Sequence, residues 1–247
     1  MRIADQNIRE IVKCLEEIGR SVGTERAFRD WMECAALSFA NGMDFVHGER
    51  WEKREKRYLE IISRYGKDAA GFAEMLAHLV NAFENDPWRD HLGKVYMECF
   101  GGNRNLGQCF TPESVCSACA GVLSVPADGT PHTLAEPSCG GGAMIIAYLE
   151  RCFLAGYDYQ RLLRIDAADL DTLCVHMCYV QLSILGARAV VRIADSIADR
   201  TFDTFVTPME AMYPAILMGG LLKSGETDEP VATPCNYEKA RQGQLFS

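Results

Sequence analysis

Three acidic residues in the second half of the chain each close an apolar run: Glu136 after "HTLA", Asp169 after "RLLRIDAA" and Asp195 after "AVVRIA". If these runs are adjacent parallel strands, the three carboxylates line one crevice, because open α/β sheets bind ligands beyond the carboxyl ends of their strands. A carboxylate closing the second strand suits the hydroxyls of a ribose. Asp195, one strand further, could then meet an adenine amino group. The stretch "EPSCGGGA", residues 136 to 143, adds a second kind of chemistry. Glycine avoids the side-chain penalty at positive φ and lets backbone approach a ligand. A glycine turn that opens a helix also directs amide donors toward it. The turn satisfies neither the dinucleotide fingerprint nor the phosphate loop, whose lysine is absent. On these residues alone a structural corner, with acids that cap helices or sit in solvent, stays open beside a ligand site.

The elements around them alternate. A strand over His132–Ala135 runs into the glycine turn, and a helix follows over Ala143–Phe153, with Met144, Ile145, Tyr148 and Leu149 available for packing. Gly156 breaks it, a second strand ends at Asp169, a helix spans Thr172–Leu185 and stops at Gly186, and a third strand ends at Asp195. Strand, helix, strand, helix, strand is the parallel α/β pattern. Before it, "TPESVCSACAGVL" predicts a helix with Thr111 as N-cap, Pro112 at the first helical position and Val115, Cys119 and Val122 facing a core. After Asp195, Phe202, Phe205 and Val206 mark a short strand or irregular segment. A helix over Met209–Met218 follows, with a loose tail from Lys223.

The first hundred residues read as four or five helices, a small bundle or cap. Ile8, Ile11, Val12, Leu15 and Ile18 repeat at helical spacing up to Gly19. Further stripes run from Phe28 to Phe39, from Tyr58 to Tyr65 and from Phe72 to Phe83, and a short helix spans His91–Phe100. The domains expected are therefore residues 1–100, a helical bundle or cap; 101–222, the α/β domain; and 223–247, a flexible tail.

Composition narrows the partners. The 247 residues carry 25 basic and 34 acidic side chains, a formal net charge of −9, so a large polyanion meets net repulsion without a local basic patch. The basic run Arg50, Lys53, Arg54, Lys56 and Arg57 is interleaved with Glu49, Glu52 and Glu55 and reads mainly as a solvated helix face. Eleven scattered cysteines suit a reduced, cytoplasmic protein better than a small disulfide scaffold. No apolar run reaches membrane-spanning length, and no membrane association is expected.

Four segments in order resemble the amino-group DNA methyltransferases: "GQCFTPESV" at 107–115, "LAEPSCGGGAMII" at 134–146, "DLDTLCVHMCYVQLSILG" at 169–186 and "ADSI" at 194–197. The chain is most similar to the N6-adenine methylase subunits of type I restriction–modification systems and their plasmid and phage relatives. The resemblance covers about residues 90–197. It implies a partial Rossmann-like α/β fold that binds S-adenosylmethionine, preceded by a helical N-terminal domain. By that likeness Phe110, Thr111 and Pro112 cover the cofactor, while Glu136, Pro137, Cys139, Gly140 and Gly142 form the turn around its methionine part. Asp169 takes the ribose, and Asp195 the adenine side. DNA is the partner implied.

One departure limits the likeness. The family's catalytic element, Asn/Asp-Pro-Pro-Tyr/Phe after strand four, holds the amino group of a flipped base, and no such tetrapeptide exists here. "DTFVTPMEAMYP" stands in its place. Asp203 with Phe205, or Thr207-Pro208 with Tyr213, could be offered as substitutes, and neither has the compact geometry required. The sheet is expected to be incomplete, at three or four strands, with an edge that a partner subunit or a second copy should cover. An active methylase completed by another chain, a noncatalytic structural, sensor or interaction module, and an unrelated α/β enzyme using the three acids all remain open. No metal is expected, because Cys116 and Cys119, with Cys109 nearby, lack a second spaced pair.

Overall fold

The computed structural model describes residues 3–101 and 111–214. Phe110 and Cys109, the end of the helix expected to reach Met218 and the tail from Lys223 lie outside the described residues. The described residues up to Met212 form one compact unit.

Five helices come first: α1 (Ile3–Val22), α2 (Thr24–Gly42), α3 (Glu49–Tyr65), α4 (Ala70–Asn85) and α5 (His91–Phe100). Ile8, Ile11, Leu15 and Ile18 of α1 are buried, as their spacing requires. Gly19 does not stop that helix, which runs on to Val22 before Gly23 turns at φ 91°. Gly19 serves close approach instead, since a Cβ there would lie 2.6 Å from the Thr24 Cα. Phe28, Tyr96 and Phe100 meet edge to face at 5.0–5.9 Å and join α2 to α5. The Trp31 indole donates to the Phe72 carbonyl at 3.1 Å.

The α/β part comprises α6 (Glu113–Val122), β1 (His132–Glu136), α7 (Ala143–Leu154), the short α8 (Tyr159–Leu162), β2 (Leu163–Asp169), α9 (Thr172–Ile184), β3 (Arg188–Asp195) and β4 (Arg200–Val206). A further helix begins at residue 208. The four strands lie in the order β1-β2-β3-β4. The first two pairings are parallel, with Glu136 opposite Ala167 and Asp169 opposite Ile193. Both crossovers step the same way across the sheet, so right-handed connections carry α7 and α9 over one face. Leu163, Ile165, Ala167, Ala189 and Val191 are buried.

The other face carries Arg164 and Asp166 of β2 and, on β3, Arg188 and Arg192 on either side of the buried Val190. Glu210 accepts from Arg164 at 3.0 Å and from Arg188 at 2.8 Å, and Arg192 pairs with Asp166. One continuous core includes α1, α2, α4 and α5 together with α6, α7, α9 and the strands.

The segment after Asp195, expected as a short strand or irregular stretch, is a strand and runs antiparallel to β3, with Val190 opposite Val206 and Ile193 opposite Asp203. Only residues 196–199 separate β3 from β4, and a parallel return needs a crossover of a dozen residues or more. In α6, Pro112 rather than Thr111 occupies the N-cap. The inward residues are Cys116 and Ala120, while Val115 and Val122 are exposed and Cys119 faces solvent. The small pair lets α6 lie close to α7, which a tally of bulky residues does not reveal.

Candidate functional site

The glycine turn is built from the end of β1 outward. Pro137 and Ser138 turn the chain, and the Glu136 carboxylate accepts from the Ser138 N–H at 3.2 Å. Cys139 N–H donates to the Ala168 carbonyl at 2.8 Å, which ties the turn to the end of β2. Gly140, at φ 51°, points its N–H at Asp169 Oδ2 at 2.9 Å. Gly142 stands at φ 98° and opens α7 with no side-chain cap, so among the described residues that helix's first amides have no side-chain acceptor. Only glycine suits that site: an added Cβ would lie 3.2 Å from the Cys178 Sγ. The Cys139 thiol beside it, together with burial, pushes the Cys178 thiol well above its ordinary range, so Cys178 is packing rather than a nucleophile.

The second and third acids meet the same lip. Asp169 Oδ1 accepts from the Asp171 N–H at 2.9 Å. The helix-capping duty falls to Asp171, which accepts from Leu173 N–H at 2.7 Å. Asp195 Oδ1 accepts from Ile197 and Ala198 N–H at 3.1 and 2.9 Å and shapes the turn into β4. Ser196 Oγ donates to the Pro137 carbonyl at 2.8 Å, linking the loops after β1 and β3 past the end of β2. Glu136, Pro137, Cys139, Gly140, Gly142, Asp169 and Asp195 thus stand on three loops bonded to one another. Two exposed apolar residues accompany them: Leu170, directly after β2, and Ile197, fully exposed after β3.

Thr111 and Pro112 line a cavity of about 340 Å³ with Trp88, Asp90, Cys116 and Ala143. Behind it lies a polar hub that sequence reasoning missed. Gln181 of α9 is fully buried. Its Nε2 donates to Gly141 O at 2.7 Å and to Asp90 Oδ1 at 2.8 Å, and its Oε1 accepts from Leu92 N–H at 3.2 Å. One side chain therefore joins the glycine turn, α9 and the start of α5. The available signal was a lone amide within the apolar run "HMCYVQLSIL", since a buried carboxamide needs several partners.

Neither Phe205 nor Thr207 reaches the crevice. β4 carries the chain away from Asp195, so Thr207 arrives beside Ala187 and Ala189 at the opposite end of the sheet. Phe205 is buried beneath the Arg54 guanidinium, which lies 5.1 Å from its ring centre and donates to the Thr204 carbonyl at 2.9 Å. Part of the basic run is thereby structural, and Arg57 joins it by pairing with Glu33 at 2.6 Å. Among the described residues no group of three or more His, Cys, Asp or Glu is placed to hold a metal ion, and no helix is long and apolar enough to cross a membrane.

No protein-family model matches the chain. Its structure matches that of a putative class I S-adenosylmethionine-dependent methyltransferase from Listeria monocytogenes with a TM-score of 0.52 and 14% identity, over 81% of this chain and 56% of that one. The fold is methyltransferase-like. In sequence, this methyltransferase-like chain is 26% identical over 162 residues to the methylase subunit of the type I restriction enzyme MjaIX from Methanocaldococcus jannaschii. That match covers 61% of the chain and 28% of the subunit, so the chain spans under a third of that relative's length. The chain is thus similar in fold to a class I methyltransferase and, weakly, in sequence to a type I restriction methylase subunit.

Proposed function

We propose that the chain binds S-adenosylmethionine over the carboxyl ends of β1, β2 and β3 as an N6-adenine DNA methylase-like module, and that it does not transfer the methyl group alone. The observation that carries this reading is the Asp169 carboxylate, which closes β2 while holding the Gly140 N–H at 2.9 Å. It couples a ribose-suited acid to a positive-φ glycine turn. The surroundings fit the cofactor. A Cβ built on Gly140 meets nothing within 4 Å, and Leu170 and Ile197 offer exposed apolar surface beside the acids for a flat heterocycle. Asp195 stands on the adenine side, and Thr111 and Pro112 form the cover. S-adenosylmethionine when bound supplies an electrophilic methyl on its sulfonium. The chain's own residues orient it and exclude water.

The noncatalytic half of the reading is supported by the direction of β4, which delivers Thr207-Pro208 away from that methyl. Transfer to DNA would then need a partner chain, and the outer edge of β1 is where a further strand could add. Calorimetry with S-adenosylmethionine and S-adenosylhomocysteine tests the first claim. Binding is expected, with Asp169→Ala weakening it by roughly tenfold or more; no binding by the parent protein overturns it. Methyl transfer to mixed-sequence DNA by the purified chain alone would overturn the second.

A further inference from the structure

Asp90 is the acid that the crevice described above leaves unused. It caps α5, and both hydrogen-bond donors to its side chain among the described residues, Gly93 N–H and Gln181 Nε2, reach the same oxygen, Oδ1, each at 2.8 Å. Its other oxygen lies over Gly93, where any side chain would collide: a Cβ would stand 2.0 Å from Asp90 Oδ2. The carboxylate borders the 340 Å³ cavity that Thr111, Pro112 and Ala143 also line. The two basic residues on that cavity are already paired, Lys94 with Asp5 and Arg89 with Asp86 and Glu113. Among the described residues no lysine or arginine forms an ion pair with Asp90. Burial pushes its carboxyl above the usual range, the response of an acid removed from water without a cation.

The cavity therefore offers one half-buried carboxylate, mostly apolar walls and, among the described residues, the uncapped first turn of α7 at Ala143. That set matches an α-amino acid group, whose ammonium needs an acid and whose carboxylate is favoured at a helix N-terminus. Gln181 holds Asp90 and the Gly141 carbonyl with one amide nitrogen, so the acid is fixed relative to the glycine turn. We infer that Asp90, from the N-terminal helical region, receives the ammonium of the cofactor's amino-acid end. The inference rests on the cofactor reading and extends it to a residue outside the α/β segment.

The test compares three ligands by calorimetry on the full chain: S-adenosylhomocysteine, its desamino analogue and 5′-methylthioadenosine, which lacks the amino-acid end. The parent protein should bind S-adenosylhomocysteine roughly tenfold or more tightly than the other two. Asp90→Asn, which keeps an N-cap acceptor, should abolish that preference while leaving 5′-methylthioadenosine within about twofold. Binding of none of the three overturns the cofactor reading itself. Equal binding of S-adenosylhomocysteine and the desamino analogue overturns the Asp90 assignment and leaves the cofactor reading standing. Asp90→Asn that retains the preference overturns the assignment too. If that variant does not fold, the desamino comparison on the parent protein decides.

Discussion

The Thr207 hydroxyl donates to the Ala187 carbonyl at 2.7 Å and accepts the Ala189 N–H at 2.9 Å, stitching the residue after β4 to the start of β3. Thr207→Val keeps the shape and removes the stitch, leaving a buried amide and a buried carbonyl with fewer partners. A loss of about 1–3 kcal/mol in urea unfolding is expected, with S-adenosylhomocysteine affinity unchanged. Lost affinity at full stability would show instead that Thr207 serves the ligand.

Gly140 and Gly142 make an internal comparison. Both have positive φ, but only Gly142 has Cys178 behind it. Gly140→Ala should cost about 1 kcal/mol for backbone conformation alone. Gly142→Ala should cost about 1 kcal/mol more, because the added methyl also presses on a packed sulfur. Thermal unfolding of the two variants measures the difference, and equal losses would contradict it.

Gln181→Glu puts a carboxylate against Asp90 and the Gly141 carbonyl. Stability should fall by about 3–5 kcal/mol at pH 8, because a buried like charge replaces a donor. The introduced carboxyl is forced above its unfolded pKa, so the deficit should shrink as pH falls toward that value and widen as pH rises. Urea midpoints of variant and parent at pH 5 and pH 8 give the sign. A deficit independent of pH would argue against a charge effect.

His176 is buried edge-on against Phe205 at 5.3 Å, and burial lowers its pKa to about 4. The unfolded chain therefore takes up a proton near pH 6.5 that the folded chain refuses until about pH 4. Its contribution is intact above pH 6.5 and is lost progressively as pH falls through that window, on the order of 3 kcal/mol in all. His176→Phe should flatten the acid limb of a stability–pH curve between those values. An unchanged limb would show that His176 is not its source.

The acid-ended strands and the glycine turn were legible because each rests on local chemistry: an apolar run, a carboxylate, a positive-φ residue. The direction of β4 was legible too, from the four residues between Asp195 and Arg200, yet it is a count rather than a residue type and the family's pattern drew attention elsewhere. The facing of α6 was not, because Cys116 and Ala120 are small and a hydropathy stripe favours the valines beside them. The Asp90–Gln181 bond joins residues 91 positions apart, and nothing local in either segment announces the other.

The ion pairs of Arg164, Arg188 and Arg192 give a rule for recognising sheets of this kind. Parallel strands are ordinarily written as unbroken apolar runs, because helices shield both of their sides. Here "LRIDAAD" carries Arg164 and Asp166 at alternate positions, and "RAVVRIAD" carries Arg188 and Arg192 four residues apart on the same face. Charges at such even spacings between helical crossovers should mark a parallel sheet with one ion-paired face. That signature can be sought in bare sequence, before any fold is known.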